Sequence, residues 1–250
     1  MFFKNTIDAT WEDLIMLKKI KRILAANENR ETFFKRIERY HSKYSRRRKL
    51  FDGSKYNENE FEFIERAYND AKEYFRNIYR QSGERYFEHL RSVAIILIDY
   101  LYIFERTDLK IPAYEIIVAA LLHDIVEDCP EWNLERVRRE YGPNVAWLLD
   151  YVSKRPKADF GGSTEAQLEF YHNRFITAPK EFFLIKLADR LHNQLTIWSC
   201  DTEKIRRKML ETLKYYIPWA RKLGILAHEL EATTENFEEK LKECALLGAT

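Results

Sequence analysis

Apolar positions recur every three or four residues along most of the chain, the spacing that places them on one face of a helix. The first such stripe ends at Leu24 and follows Thr10 and Asp13, which form a capping-box pattern. The same spacing predicts further helices over residues 31–50, 61–75, 87–104, 112–126, 133–141, 144–153, 164–177, 180–198, 202–222 and 227–246. Only 7 glycines and 6 prolines interrupt the 250 residues, and no alternating pattern is long enough to predict a sheet. The sequence therefore predicts an all-α fold.

Composition excludes several classes of protein. The chain has 42 basic and 40 acidic residues, and a net charge of +2 argues against a general nucleic-acid binder. The three cysteines are far apart and form no CxxC, which argues against a disulfide framework or a cysteine-based zinc site. The longest apolar runs, 93–98 and 116–122, fall far short of the roughly 18 residues that a membrane span needs. We expect a cytoplasmic protein without a membrane anchor.

An unusual group of polar residues ends one of the most apolar predicted helices, in the segment LLHDIVED at 121–128. In a continuous helix Glu127 lies one turn beyond His123, and Asp128 lies one turn beyond Asp124, so that each pair shares a face. Three carboxylates beside one another at the end of a buried helix repel unless a cation or a basic partner compensates them. A divalent metal is the simplest compensation.

Two other segments have a similar character. Asp189 and Asn193 lie four residues apart in FLIKLADRLHN at 183–193, where Asp189 emerges from an apolar helix. His89 ends the segment RQSGERYFEH at 80–89 and opens another apolar helix. His192 is interpreted as structural, because on a helix it is expected to face away from this pair.

The order H…HD…D, with HDxxED in the middle and KLADRLHN around the last aspartate, resembles the HD metal-dependent phosphohydrolases. The closer resemblance is to the hydrolase domain of the RelA/SpoT alarmone enzymes, through AALLHDIVED at 119–128 and ETLKYYIPWARKLGI at 211–225. The latter stretch lies outside the metal motif and discriminates within the superfamily. The resemblance covers about 80–226 and implies an HD-domain helical bundle with an additional N-terminal helical region. The expected parts are an extension at 1–72, the hydrolase domain at 73–226 and a C-terminal helix at 227–250.

The resemblance also implies a reaction, removal of pyrophosphate from the 3′ position of (p)ppGpp to give GDP or GTP. It implies a Mn²⁺ ion with four ligands: His89, His123, Asp124 and Asp189. Glu127 and Asp128 would orient or deprotonate the attacking water. The implied substrate-binding residues are Arg80, Ser82, Lys154, Asn193 and Thr196. Arg80 and Lys154 would neutralise phosphates, and Ser82 falls in the stretch that contacts guanine in the family.

Several positions depart from the family pattern without removing a ligand or an acid. Gln81 stands where a basic residue is usual, and Arg85 stands where a proline is usual. These changes leave open another nucleotide substrate, such as the 2′-phosphate of NADPH or an adenosine alarmone. The predicted N-terminal helices leave open a regulatory protein partner or a homo-oligomer. No room for a synthetase domain is expected after Ile225, which suggests a stand-alone hydrolase.

Overall fold

The computed structural model describes residues 28–51, 58–104, 109–235 and 237–239 of the chain. The predicted helix that begins at Thr10 lies outside the described residues, as do position 236 and positions 240–246 of the helix predicted over 227–246. Within that predicted range, the helix that begins at Ala227 ends at Thr234.

The described ranges contain helices and connecting turns but no β-strand, which confirms the all-α prediction. The α-helices are α1 (Arg30–Phe51), α2 (Glu58–Tyr74), α3 (Tyr86–Phe104), α4 (Ala113–Leu121), α5 (Ile125–Asp128), α6 (Leu134–Val152), α7 (Thr164–Asn173), α8 (Lys180–Leu195), α9 (Thr202–Glu211), α10 (Ile217–Leu223) and α11 (Ala227–Thr234). Short 3-10 turns cover Lys157–Phe160, Arg174–Ile176 and Ile197–Ser199, and a π-helical turn covers Thr212–Tyr216. None of the described helices is long and apolar enough to cross a bilayer.

Several boundaries differ from the sequence prediction or refine it. The single helix predicted over 112–126 was wrong, because α4 ends at Leu121 and a turn separates it from α5. The break predicted between 141 and 144 is confirmed as a kink within α6, where Gly142 has a φ of 83°. That backbone conformation suits glycine, since it has no Cβ to clash with the following carbonyl. The helix predicted over 202–222 is divided by the π-helical turn.

Helices α3 and α8 form the centre of the molecule and pack against each other. Their side chains are buried on almost every face, from Phe87 to Leu101 in α3 and from Glu181 to His192 in α8. Helix α4 packs against both of them. A helix surrounded on all sides must pair its polar groups internally, because unpaired buried polar groups are costly. The polar residues of α3 and α8 are therefore the natural place to look for a site.

Helices α1 and α2 join the same hydrophobic core as the rest of the chain. The ring of Tyr68 on α2 lies 5.1 Å from that of Phe33 on α1 and 5.0 Å from that of Phe87 on α3. The Arg36 guanidinium also donates to the buried carboxylate of Asp99 on α3, with Nη1 2.7 Å from Oδ2. The domain boundary at residue 72 stays a prediction.

Candidate metal centre and adjoining cavity

Three parts of the fold bring two imidazoles and two carboxylates together. His89 comes from the first turn of α3, His123 and Asp124 come from the turn between α4 and α5, and Asp189 comes from α8. His123 Nε2 lies 3.1 Å from Asp124 Oδ2 and 3.6 Å from Asp189 Oδ1. His89 Nε2 lies 3.3 Å from Asp189 Oδ1 and 3.9 Å from Asp124 Oδ2. The four predicted ligands therefore meet in space.

The environment of His123 fits a bound cation. Its Nδ1 lies 2.9 Å from the carbonyl oxygen of Ala120, and because a carbonyl only accepts, Nδ1–H must donate to it. This bond turns Nε2 towards the carboxylates, and the buried Nε2 atom has no hydrogen-bond partner of its own. Burial opposes a charge on His123, but Asp124 and Asp189 outweigh it and raise the pKa of His123 to about 10. The cluster of His123, Asp124 and Asp189 thus attracts a positive charge, either a proton or a metal ion.

The ligand atoms of His89, His123 and Asp124 all lie within 4.8 Å of one another. Imidazole nitrogens combined with carboxylate oxygens suit divalent manganese, iron or zinc. The residues present therefore fit a divalent metal.

His192 belongs to this site, and the expectation that it faces away was wrong. Its Nδ1 lies 2.8 Å from His89 Nδ1 and 3.2 Å from the Nη1 atom of Arg80. Residues three and four positions after Asp189 flank the same side of α8, so His192 and Asn193 both face the site. The sequence carried a signal for this placement in the three-residue spacing from Asp189.

Two further side chains that sequence reasoning missed hold the carboxylates. The Tyr86 hydroxyl donates to Asp124 with its oxygen 2.7 Å from Oδ2, and the Lys186 ammonium donates to Asp189 with Nζ 2.7 Å from Oδ2. Burial raises the pKa of the Asp189 carboxyl, but the charge of Lys186 and the contacts with His123 and His89 together outweigh it and hold this pKa well below its usual range. The signal, again, was a three-residue spacing, since Tyr86 precedes His89 and Lys186 precedes Asp189 by three.

The acids that follow the HD pair have different surroundings. Glu127 accepts from the backbone N–H of Lys154, with Oε1 2.9 Å from the nitrogen, and its other oxygen lies 3.9 Å from Lys154 Nζ. Partial burial raises the pKa of Asp128 to about 6, with the nearby charge of Asp124 adding to the effect. Glu127 therefore positions Lys154 through its backbone and lies near its ammonium group, whereas Asp128 is a carboxylate with an increased affinity for a proton.

A cavity of about 360 Å³ adjoins the cluster, and Asp189 forms part of its wall. All five predicted substrate-binding residues line it: Arg80, Ser82, Lys154, Asn193 and Thr196. Six of its lining residues are basic, and one is acidic. Asn193 connects this wall to the cluster, because its Oδ1 accepts from Arg80 Nη2 at 2.8 Å and its Nδ2 donates to Asp189 Oδ1 at 2.5 Å. Such a cavity suits an anionic ligand beside the candidate metal.

A family model described as "HD domain" matches residues 67–226 and so includes every candidate residue above. The chain belongs to the HD domain family. The matched range also contains α3 to α10, so the fold that positions the site is the HD domain itself.

Curated proteins similar to this HD domain are alarmone enzymes. The guanosine-3′,5′-bis(diphosphate) 3′-pyrophosphohydrolase of Haemophilus influenzae is 38% identical over 165 residues, which are 64% of this chain and 23% of the relative. The bifunctional (p)ppGpp synthase/hydrolase SpoT of Escherichia coli is 36% identical over 183 residues, which are 72% of this chain and 24% of SpoT. This chain therefore spans about a quarter of the length of these relatives.

A solved chain described as a metazoan ortholog of SpoT that hydrolyzes ppGpp is 23% identical to this chain. The two align with a TM-score of 0.49 over 76% of this chain and 96% of the other.

Proposed function

We propose that this HD domain hydrolyses the 3′-pyrophosphate of (p)ppGpp to GDP or GTP and pyrophosphate, with Mn²⁺ as its metal. The observation that carries the proposal is the position of Asp189, which belongs to the cluster of two imidazoles and two carboxylates and also lines the basic cavity. The names of the similar hydrolases, with identities of 38% and 36%, supply the substrate class.

His89, His123, Asp124 and Asp189 would hold the metal. When bound, the metal lowers the pKa of water and stabilises negative charge on phosphoryl oxygens. The two carboxylates offset the charge of a divalent ion, while the two imidazoles bind it as neutral ligands. Tyr86 and Lys186 keep the carboxylates in place. This mixed set of two nitrogen and two oxygen ligands suits manganese, iron or zinc, and it is the family resemblance that favours manganese among them.

The cavity wall supports a substrate with several phosphates. Arg80 lies beside the proposed ligands, whereas Lys204 and Lys208 line the cavity from α9, one helical turn apart. Lys204 Nζ donates to Oε1 of Gln81 at 3.0 Å, so a cation from α9 stands beside the neutral residue at position 81. (p)ppGpp carries phosphates at both its 3′ and 5′ positions, which suits basic side chains on separate elements.

In the proposed reaction, the oxygen of water forms a bond to the phosphorus attached to the 3′ oxygen, and the bond between that phosphorus and the 3′ oxygen breaks. Asp128 accepts the proton that water loses, the role that the resemblance to the RelA/SpoT hydrolases implies, and its partial burial favours proton uptake. The 3′ oxygen leaves as the ribose hydroxyl by taking this proton from Asp128, which returns to its carboxylate form. Arg80 and Lys154 stabilise the charge on the pyrophosphate group as it is transferred to water, and Glu127 holds Lys154 in position.

Ser82, Asn193 and Thr196 would contact the nucleoside or the inner phosphate. A cytoplasmic location is part of the proposal, and it is compatible with Cys129 and Cys200, which are both free thiols outside any disulfide. A protein partner or self-association through the N-terminal helices remains a prediction.

The test is product analysis by anion exchange. Metal-stripped protein is incubated with ppGpp, pppGpp, NADPH or an adenosine alarmone, with and without Mn²⁺, beside an Asp124→Ala variant. Asp159→Ala is the matched control, since this exposed aspartate lies in a 3-10 turn away from the cluster. We expect GDP and pyrophosphate from ppGpp only when Mn²⁺ and Asp124 are both present.

Each other outcome contradicts part of the proposal. Phosphate release from NADPH with ppGpp left intact would keep the metal centre and discard the alarmone substrate. Turnover that survives Asp124→Ala would discard the metal centre. No turnover of any nucleotide would discard the hydrolase.

A further inference from the structure

Two buried imidazoles meet nitrogen to nitrogen beside the candidate metal. Nδ1 of His89 on α3 lies 2.8 Å from Nδ1 of His192 on α8, and the two side chains are each 2% exposed. A hydrogen bond between two ring nitrogens needs one hydrogen, so one nitrogen donates and the other accepts. The distance alone leaves the direction open.

Arg80 decides the direction. A guanidinium can only donate, and Arg80 Nη1 lies 3.2 Å from Nδ1 of His192. That nitrogen therefore carries its lone pair and accepts, so the hydrogen between the rings belongs to Nδ1 of His89. Arg80 is itself held in place, because its Nη2 donates to Asn193.

The consequence lies on the other side of the His89 ring. With Nδ1–H directed at His192, Nε2 of His89 points towards Asp189 and Asp124, at 3.3 and 3.9 Å. We infer that His192 is a positioning residue of the metal centre, which holds His89 in the Nδ1–H tautomer and leaves Nε2 as the metal ligand. The inference rests on the metal centre of the proposed function and not on its substrate.

His123 has the same arrangement as His89, with Nδ1–H donating to an acceptor and Nε2 facing the carboxylates, but its acceptor is different. The carbonyl oxygen of Ala120 fixes its Nδ1–H, as Nδ1 of His192 fixes that of His89. Partners that orient metal-bound imidazoles in this way typically change metal affinity about 10- to 100-fold when they are removed.

The test compares His192→Leu with His192→Asn in the full chain. Leucine removes the acceptor, whereas the side-chain oxygen of asparagine can replace it near the position of Nδ1. His41→Leu is the control for loss of a buried histidine, because His41 on α1 faces Glu60 with Nδ1 3.8 Å from Oε2. Calorimetric titration of the metal-stripped proteins with Mn²⁺ measures Kd. We expect at least a tenfold weaker Kd for His192→Leu, recovery to within about threefold for His192→Asn, and no change for His41→Leu.

A second readout needs no folded variant at position 192. Long-range ¹H–¹⁵N correlation spectra of the metal-free wild-type protein distinguish the two neutral imidazole tautomers, and the His89 signals are assigned from their loss in His89→Gln. We expect the Nδ1–H form for His89.

The Nε2–H form of His89, or wild-type Mn²⁺ affinity in a folded His192→Leu protein, would overturn the inference. An asparagine variant as weak as the leucine variant would also count against it, as would a wild-type protein that binds no Mn²⁺. Failure to cleave ppGpp, with these affinities as expected, would contradict only the proposed substrate.

Discussion

The buried ion pair between Lys186 and Asp189 gives a prediction that links stability to metal binding. Both residues are 5% exposed, and Lys186 Nζ lies 2.7 Å from Asp189 Oδ2. In Lys186→Met the side chain keeps its length and its apolar stem but loses its charge. Asp189 then stays buried as an anion that retains the amide of Asn193 and the nearby His89.

Removing one partner of a buried ion pair typically costs about 3–5 kcal/mol, because the remaining charge is left without compensation. The retained neighbours place the expected loss near the lower end, at about 3 kcal/mol for the metal-free protein. For a chain of this size that loss lowers the unfolding midpoint by about 6–12 °C. If Asp189 is a metal ligand, Mn²⁺ supplies a replacement cation, so most of this loss should disappear when the metal is bound.

Thermal unfolding of Lys186→Met with chelator and with saturating Mn²⁺ tests both parts of the argument. Lys72→Met is the control, because it removes an exposed lysine from the last turn of α2. The double variant with Asp189→Asn should recover part of the metal-free stability, since it removes both charges. A metal-free loss below about 1 kcal/mol would refute the dependence of Asp189 on Lys186. An equal loss with and without Mn²⁺ would refute the assignment of Asp189 as a ligand.

Three other outcomes are expected. Burial raises the pKa of Glu211, but hydrogen bonding to His172 and the charge of Arg190 outweigh it and hold this pKa below its ordinary value of 4.5. The stability that this carboxylate contributes should be fully present above pH 4.5 and decline as the pH falls below it. Urea unfolding at several pH values should show a shallower decline for Glu211→Gln. Gly142→Ala should cost about 1–3 kcal/mol in urea unfolding, because a φ of 83° with a ψ of 171° is adopted almost only by glycine, although no atom lies near the added Cβ. An unchanged midpoint would contradict this. Lys208→Ala should raise KM for ppGpp about tenfold with little change in kcat, since it removes a cation from the cavity wall, and steady-state kinetics showing the reverse split would place Lys208 in the chemical step.

Much of the fold could be predicted from helical periodicity because most helices begin or end at residues with a clear local signal. Gly142 and Gly224 both adopt positive φ, and glycine is the residue that does so most readily. The end of α4 had no such signal, because LLHD contains neither glycine nor proline and the apolar pattern continues into α5. The π-helical turn at Thr212–Tyr216 did have a local signal, because Pro218 lies in the first turn of α10 and, without an N–H, cannot continue the preceding helical hydrogen bonds.

The candidate ligands could be named from the sequence because imidazoles and carboxylates in an apolar context marked three segments, and the family resemblance then implied the set of four. Their supports were harder to predict, because the three-residue spacing that places Tyr86, Lys186 and His192 near the ligands is common in helices and does not say which neighbour each side chain meets. His192 shows most clearly why such contacts are hard to predict from the sequence. Its partner His89 lies 103 residues away in the sequence, and only the packing of α3 against α8 brings the two rings together.

Three residues of α8 have different proposed roles in the site. Asp189 is a candidate ligand, His192 orients another ligand, and Asn193 connects the cluster to the cavity wall. Since most of α8 is buried, a change at any of these positions should alter metal affinity, substrate binding and stability together. Helix α9 differs, because Lys204 and Lys208 line the cavity from partly exposed positions. Substitutions in α9 should therefore change substrate preference while leaving the metal centre intact, which makes α9 the place where this HD domain can be altered towards another nucleotide.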